Sequence, residues 1–280
     1  MIHKVSTCCL VAAVVCVFAG SAMAELLAYE GFDYTGDALT KQNGGVGFDG
    51  AWTGTTMFRE ISTTGQSLTM PNLHFATQGD HLRGTAYTYD VWHTAQRQIA
   101  STIDFGQEGQ YFVGMLIQRP TETNAKAALR GMNAAGEQLW RFEIASGYSV
   151  PFVGIGGNGT INNGPYAYAD DGAFRMAVGV TYFMIAKIQT HADAPDTISL
   201  KLYGPEDTID LEQPDVWNAS VSADVSGVFS KLRVDLGKGF TTALDEIRLG
   251  TTWESVVVPE PGAVSLLVLG GIALARRRVK

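Results

Sequence analysis

Cysteine is scarce in this chain, and its distribution is uneven. The three cysteines, Cys8, Cys9 and Cys16, all lie within the first 24 residues. The rest of the chain can therefore form no disulfide, no thiolate nucleophile and no cysteine-based metal site. A hydrophobic core has to stabilise it, and the roughly 230 residues from Glu25 to Ser255 are enough for one large domain.

Basic residues are also scarce. The chain has 20 Lys and Arg against 28 Asp and Glu, a formal net charge of −8. The two ends carry five of the cations and one of the acids, so 15 basic residues face 27 acidic ones between Glu25 and Ser255. Such a domain is a poor binder of nucleic acid or anionic lipid, because contact with phosphate requires clustered Lys and Arg.

Several motifs of enzymes and cofactor-binding proteins are missing. There is no Gly-x-Ser-x-Gly elbow. The glycine-rich stretch from Gly154 to Gly159 is not followed by a helix pattern, which indicates a hairpin loop rather than a dinucleotide-binding turn. The short spacing of a zinc site is absent among His74, His81, His93 and His191.

The first 24 residues have the layout of a secretory signal peptide. Lys4 precedes an apolar run from Cys8 to Gly20, and Ala22-Met-Ala24 supplies an Ala-x-Ala cleavage site. The pattern predicts that residues 1–24 are removed by a cut after Ala24. The domain that follows is then expected to be exported.

The last segment, Val256 to Lys280, combines a short apolar run with a basic end. Gly262 to Ala275 is uncharged, and as a helix it would span about 21 Å, against about 30 Å of hydrocarbon in a bilayer. Arg276, Arg277 and Arg278 follow directly, and such a basic cluster reaches the interface and stays on the cytoplasmic side. The pattern predicts a single transmembrane helix that anchors the C-terminus.

An extended segment precedes the apolar run. Pro259 and Pro261 disfavour helical geometry, and Glu260 between them adds one carboxylate. Pro-Glu-Pro, a short apolar helix and a terminal arginine cluster together resemble the PEP-CTERM sorting signal of exported bacterial proteins, over about the last 22 residues. The resemblance implies recognition by a membrane protease-transpeptidase of the exosortase type, transient anchoring in the inner membrane, and delivery to the cell surface or an extracellular polysaccharide matrix.

Between the two ends the sequence predicts an all-β domain. Turn residues recur about every eight to twelve positions, as in a sandwich or barrel. The period-two segment Thr197 to Tyr203 places Ile198, Leu200 and Leu202 on one face. Asp215 to Ala223 is a candidate for a short helical turn. The other clear strands are Tyr111–Gln118, Gln138–Ala145, Thr181–Gln189, Leu232–Leu236 and Leu244–Leu249.

Three parts of residues 25–255 resemble the laminin-G-like, concanavalin-A-like jelly roll. They are the opening Leu27-Ala-Tyr-Glu-Gly-Phe-Asp-Tyr with Trp52 after a glycine-rich loop, the couplet Tyr182–Ile188 and Asp196–Tyr203, and the closing Leu244–Trp253. The resemblance implies two facing antiparallel sheets of about a dozen strands. Many members of this family bind carbohydrate, and some relatives hydrolyse glucans.

The carboxylates do not match a catalytic pair well. A retaining glycosidase needs two carboxyl groups about 5 Å apart, and glucanases of this fold carry them at alternate positions of one strand. Asp210 and Glu212 come nearest to that pattern, but Thr208 replaces the leading glutamate, so we interpret them as a solvated edge or loop. Asp245 and Glu246 are adjacent, which predicts opposite faces and a structural strand end. The sequence therefore predicts no catalytic residues.

Calcium binding is the one possibility for a metal ligand that the sequence leaves open. Oxygen donors at loop ends can bind it with help from the backbone. Asp170-Asp171-Gly172 and the pair Asp193 and Asp196 are candidates, and both are also ordinary turn sequences. No other cofactor is predicted.

Tryptophan rings can stack on sugars, but they also fill hydrophobic cores. Trp92 stands beside tyrosine and histidine in Tyr87-Thr-Tyr-Asp-Val-Trp-His, and it is the candidate for sugar stacking. Core packing is the default expectation for Trp52, Trp140, Trp217 and Trp253.

These features favour an exported cell-surface or matrix protein whose β-sandwich binds carbohydrate without cleaving it, with an exosortase-type enzyme and extracellular polysaccharide as partners. A structural or adhesive surface protein without a specific sugar is the alternative. A glycoside hydrolase is the third possibility, and it would require release of reducing ends that Asp210→Asn abolishes.

Processing at both ends can be checked by intact-mass measurement. Protein recovered from the producing bacterium should begin at Glu25 and should lack the basic cluster at its C-terminus, because two different enzymes remove the two segments. Finding the full-length chain in the cytosol with both ends intact would contradict this topology.

Overall fold

The computed structural model describes most of the central domain. Its described residues are 25–35, 38–54, 61–64, 66–84, 92–119, 127–145, 150–157, 164–237 and 242–258. The predicted signal peptide, the Pro259–Pro261 motif and the apolar tail with Arg276–Arg278 lie outside them. Within the described ranges, no helix has the length and apolar character needed to span a bilayer.

The described chain consists mainly of β-strands, with a 3-10 turn at Ala169–Gly172. In chain order its strands and its α-helix are β1 (Leu26–Glu30), β2 (Phe48–Gly54), β3 (Ile61–Thr64), β4 (His81–Gly84), β5 (Trp92–Asp104), β6 (Gly109–Gln118), β7 (Ala127–Met132), β8 (Gln138–Ala145), β9 (Val150–Ile155), β10 (Tyr166–Tyr168), β11 (Thr181–Thr190), β12 (Asp196–Tyr203), β13 (Ala219–Ala223), β14 (Val228–Gly237), β15 (Ala243–Gly250) and α1 (Trp253–Val257).

Two antiparallel sheets pack face to face. The eight-stranded sheet has the order β13-β12-β11-β6-β15-β4-β3, with β1 also paired to β15, and the seven-stranded sheet has the order β10-β9-β8-β7-β14-β5-β2. Alternate residues of both sheets, such as Val113, Met184, Leu129 and Val234, form the core between them. The all-β fold and the sandwich predicted from the sequence are confirmed.

The strongest sequence patterns correspond to strands of the sandwich. All six predicted strands fall within β6, β8, β11, β12, β14 and β15. Ile198, Leu200 and Leu202 are buried in the core, as the period-two pattern predicted. Gly154 lies in β9, Gly156 and Gly157 follow it, and β9 pairs antiparallel with β10.

Two local predictions are wrong. Residues Ala219–Ala223 form the edge strand β13 instead of a helical turn, because they pair along β12. The alternation of Gln138–Ala145 in the sequence predicts that Leu139 shares a face with Arg141 and Glu143, but Leu139 packs in the core together with Trp140. The register between β7 and β8 shifts at this point, which turns the side chain of Leu139 inwards.

A buried carboxylate links the two sheets. Glu30, the last residue of β1, accepts hydrogen bonds from Trp52 Nε1 at 2.9 Å and Arg97 Nη1 at 3.0 Å, and both donors belong to the seven-stranded sheet. The backbone N–H of Phe32 and the hydroxyl of Tyr34 also donate to it. Arg97 donates further to backbone carbonyl groups in and before β2. This full set of partners is what allows a charged pair to be buried.

Two further buried carboxylates, Asp245 and Glu246, hold a loop in place. Glu246 has φ of 52° in a β-bulge of β15, where the neighbouring strand changes from β4 to β1. Asp245 Oδ2 accepts hydrogen bonds from Ser67 Oγ at 2.6 Å and Leu68 N at 2.7 Å. Glu246 Oε1 accepts one from Gln78 N at 2.7 Å. Instead of diverging, both side chains hold the segment that precedes β4, which gives them a structural role.

The Glu30–Arg97 pair generates the first prediction on stability. Arg97→Met leaves a buried carboxylate without its cation and should lower the free energy of unfolding by about 3–5 kcal/mol. Adding Glu30→Gln should recover part of that loss. Urea denaturation measures both, and Glu108→Gln, which removes an exposed partner of His191, should cost less than about 0.5 kcal/mol. Equal losses in the single and double variants would contradict the role of the pair.

Asp245 generates a prediction on pH dependence. Burial raises its pKa from 3.8 to about 8, while the hydrogen bond from Ser67 opposes the rise and the Glu246 carboxylate adds to it. A carboxyl group with a raised pKa in the folded state contributes most stability below about pH 4, and that contribution is lost as the pH rises towards 8. Asp245→Asn should flatten this slope in urea denaturation, whereas Asp193→Asn on the surface should keep it. An unchanged slope in Asp245→Asn would refute the assignment.

Candidate functional site

The outer face of the seven-stranded sheet, turned away from the core, carries two adjacent rows of side chains that we call the polar strip. The first row crosses all seven strands at paired positions: Tyr166, Gly154, Arg141, Arg130, Arg233, Gln96 and Thr53. The second row lies two residues along six of these strands: Tyr168, Phe152, Glu143, Ala128, Asp235 and Thr94.

The alternation of the strands produces this strip. Leu129 of β7, Phe142 of β8 and Val234 of β14 fill the core. Successive side chains of a strand point to opposite faces, so Arg130 and Arg141 are directed outwards. The strip is thus the polar half of a two-sided pattern whose apolar half builds the core.

Three arginines occupy neighbouring positions of the first row, an arrangement that destabilises a sheet unless it is compensated. Two carboxylates of the second row compensate it. Arg130 Nε lies 2.6 Å from Asp235 Oδ2, and Arg130 Nη2 lies 2.9 Å from Glu143 Oε2. Arg233 Nε lies 2.7 Å from Asp235 Oδ1, and Arg141 Nη1 lies 3.7 Å from Glu143 Oε2. Among the described groups of the strip, three guanidinium groups therefore share two carboxylates.

The centre of the strip is buried and its two ends are open. Arg130 and Arg141 are each 2% exposed. Burial lowers the pKa of the Arg141 guanidinium, and the nearby Glu143 carboxylate opposes that shift. At the ends, Tyr166 is 50% exposed and the Arg233 side chain is 26% exposed. A ligand can therefore contact the strip at its ends.

One end is aromatic. The rings of Tyr166 and Tyr168 on the edge strand β10 lie 5.3 Å apart between centroids, and each also contacts Phe152. The Arg141 guanidinium lies 5.1 Å from the centroid of Phe152. Gly154 makes room for it, since a Cβ there would lie 2.9 Å from Arg141 Nε. The two tyrosines form an exposed aromatic surface beside a guanidinium group.

The other end is a polar cavity. It has a volume of about 440 Å³. The residues that line it are Thr53, Gly54, Thr94, Gln96 and Arg233. None of these described lining residues is acidic, and Arg233 is the cationic one.

The carboxylates nearest to a glucanase pattern lie elsewhere. Asp210 and Glu212 belong to the loop between β12 and β13, as predicted, and Asp210 accepts a hydrogen bond from Tyr203 Oη at 2.9 Å. An open groove of about 730 Å³ includes both carboxylates and the exposed Leu211. A second cavity of about 400 Å³ includes Asp210 and Asp170. The two carboxylates therefore stand in a loop and not at alternate positions of one strand.

The calcium candidates are not brought together. Asp196 accepts hydrogen bonds from the backbone N–H of His191 and Val225, one on each carboxylate oxygen, and so closes the turn between β11 and β12. Asp170 and Asp171 lie in the 3-10 turn. Across the part of the chain that the structure describes, no three His, Cys, Asp or Glu side chains are grouped as a metal site.

The tryptophans divide as the sequence suggested, with one left undecided. Trp52, Trp140 and Trp253 are buried in hydrophobic clusters, so core packing is confirmed for them. Trp217 is half-buried, and it packs against the cluster of Trp253 with the two ring centroids 6.1 Å apart. Trp92 is the first residue of β5 and pairs with Gly237, while its side chain lies outside the described part. The prediction that Trp92 stacks on sugar therefore stays a prediction.

Sequence reasoning missed the polar strip. Its aromatic end is encoded by the short alternation Tyr166-Ala-Tyr168. Arg130 directly follows the apolar Leu129, and Arg141 stands between Trp140 and Phe142. These signals are visible in the sequence, but they acquire meaning only once the strands are placed next to one another.

Comparisons with known proteins add little. No protein-family model and no curated protein matches the chain. Solved structures with a similar fold include an endo-β-1,4-glucuronan lyase from the fungus Trichoderma reesei, at 11% identity over 83% of this chain and 98% of that one, with a TM-score of 0.49.

Two other structures are similarly distant. The globular domain of T. cruzi calreticulin matches at 10% identity over 83% of this chain and 91% of that one, with a TM-score of 0.48. The carbohydrate binding module CBM66 from Bacillus subtilis matches at 10% identity over 65% and 96%, with a TM-score of 0.38. At this distance the comparisons carry no argument about function.

Proposed function

We propose that the domain is a concanavalin-A-like jelly roll that binds carbohydrate on the polar strip. The observation that carries the proposal is the strip itself, which places an exposed aromatic pair and a series of arginine, amide and hydroxyl groups on one face of one sheet. Ligand sites combine apolar rings with a few fixed polar groups. A sugar has the same two sides, with C–H groups on its ring faces and hydroxyl groups around its edge.

The aromatic end supplies the apolar contact. Tyr166 and Tyr168 contact each other and Phe152 at an angle, which holds the two exposed rings in place. Rings of this kind contribute large contact areas at low cost in conformational entropy, and each keeps a hydroxyl group for hydrogen bonding. They are the described residues best suited to contact the face of a sugar.

The polar groups supply orientation. The Arg233 guanidinium, at the open end of the strip, is held in place by Asp235 and Thr94. Planar groups fixed in this way can form paired hydrogen bonds without first losing side-chain freedom. Binding on such a face would depend on the direction of the sugar chain as well as on its composition.

We propose that the polar strip binds carbohydrate without cleaving it, because its carboxylates are already paired with arginine. The described carboxylates of the strip are Glu143 and Asp235, and both are tied to Arg130. A carboxylate that accepts hydrogen bonds from a buried guanidinium group is already engaged there and is poorly placed to reach the leaving group of a glycosidic bond.

The proposal includes the setting. The signal-peptide layout of residues 1–24 and the PEP-CTERM-like segment Pro259–Pro261 with Arg276–Arg278 support export, transient anchoring in the inner membrane and sorting by an exosortase-type enzyme. A β-sandwich displayed at the cell surface or in a polysaccharide matrix would then meet sugars as its most abundant neighbours.

Glycan-array screening of the full-length chain, followed by calorimetry on the hits, tests the binding proposal. Tyr166→Ala and Tyr168→Ala should each weaken binding about tenfold, because each removes a contact ring. The corresponding phenylalanine variants should retain most of the affinity. Leu211→Ala, in the groove beside Asp210, is the control and should have no effect. A blank array with folded protein would refute the proposal.

A further inference from the structure

The cavity at the open end of the polar strip has the chemistry of an anion site. Arg233 is held along one edge of its guanidinium group, where Nε donates to Asp235 Oδ1 at 2.7 Å and Nη2 donates to Thr94 Oγ1 at 3.2 Å. Nη1 makes no hydrogen bond to any residue that the structure describes. The end-on edge of a prepositioned guanidinium group is therefore available to a ligand in the cavity.

The neighbouring groups fit an anion better than a cation. Asp235 lies next to the cavity, but its Oδ1 already accepts from Thr94 and Arg233, and its Oδ2 accepts from Arg130. Gln96, on the wall of the cavity, adds a side-chain amide that can donate. The described walls thus offer hydrogen-bond donors and a positive charge without a carboxylate.

The overall charge restricts where an anion can bind. The chain has a formal net charge of −8, so a polyanion is repelled by most of its surface. The Arg233 guanidinium at one end of the strip is a local positive charge on this negatively charged protein. Among anions, a planar carboxylate matches the planar end of a guanidinium group through two parallel hydrogen bonds.

We propose that this cavity takes the carboxylate of an acidic sugar, so that the strip prefers polysaccharides that contain uronic acids. Arg233 would donate hydrogen bonds to the carboxylate, while Tyr166 and Tyr168 would contact another part of the same polysaccharide. This inference rests on the proposed carbohydrate binding and specifies its ligand class.

Polygalacturonate and its methyl ester form a matched pair of probes, because they share a backbone and differ in the charge of the carboxyl group. The full-length chain should bind polygalacturonate at least about tenfold more tightly than the ester, since a hydrogen bond to a charged group is stronger than one to a neutral group. The preference should decrease as salt is added.

Variants of two cations on β14 separate the site from general charge. Arg233→Gln should abolish the preference, and Arg233→Lys, which keeps the charge without the planar fork, should restore only part of it. Lys231→Gln makes the same charge change on the same strand and face, and should leave the preference intact. Thermal melting of each variant checks that it is folded.

The possible failures are distinguishable. Equal binding of polygalacturonate and its ester, with loss in Tyr166→Ala, would overturn the acidic-sugar inference and leave carbohydrate binding in place. Equal binding of polygalacturonate and dextran sulfate, unaffected by Arg233→Lys, would overturn the carboxylate assignment in favour of charge alone. Absence of binding to both acidic and neutral glycans would overturn both proposals.

Discussion

A buried ion pair between Glu30 and Arg97 joins the two sheets. Glu30 ends β1 in the eight-stranded sheet, whereas Arg97 and Trp52 belong to β5 and β2 of the other sheet. A buried ion pair contributes little stability compared with an apolar contact of the same size, but it tolerates few alternative geometries. We infer that it sets the position of β2 and β5, the strands that supply Thr53 and Gln96 to the polar strip.

The outer faces of the two sheets are built on opposite principles. Phe112, Leu116 and Phe183 make the outer face of the eight-stranded sheet apolar, and α1 and the segment before β4 cover it. The outer face of the seven-stranded sheet carries the polar strip instead. The first face is stabilised by apolar contacts, whereas the second tolerates three neighbouring arginines because Glu143 and Asp235 compensate their charge.

The elements that were predicted well are those whose residues carry a strong apolar signal. β6 and β11 are almost entirely apolar because both of their faces are covered, and β12 alternates clearly. The longest described strand, β5, was not identified, since its sequence is rich in polar residues and includes Arg97, a charged residue directed towards the core. β7 was missed for a related reason, because Arg130 and Gly131 interrupt a short run of small apolar residues.

The sequence by itself determined the class of the domain, since turn spacing and period-two strands require an all-β fold, and it also carries the patterns that predict export and sorting. The tertiary structure decided where the chemistry lies. The polar strip takes Arg141, Arg130 and Arg233 from three strands, with the third separated by about a hundred residues from the first two. No local pattern brings such residues together, because side chains from separate strands meet only through the register of the hydrogen-bonded sheet.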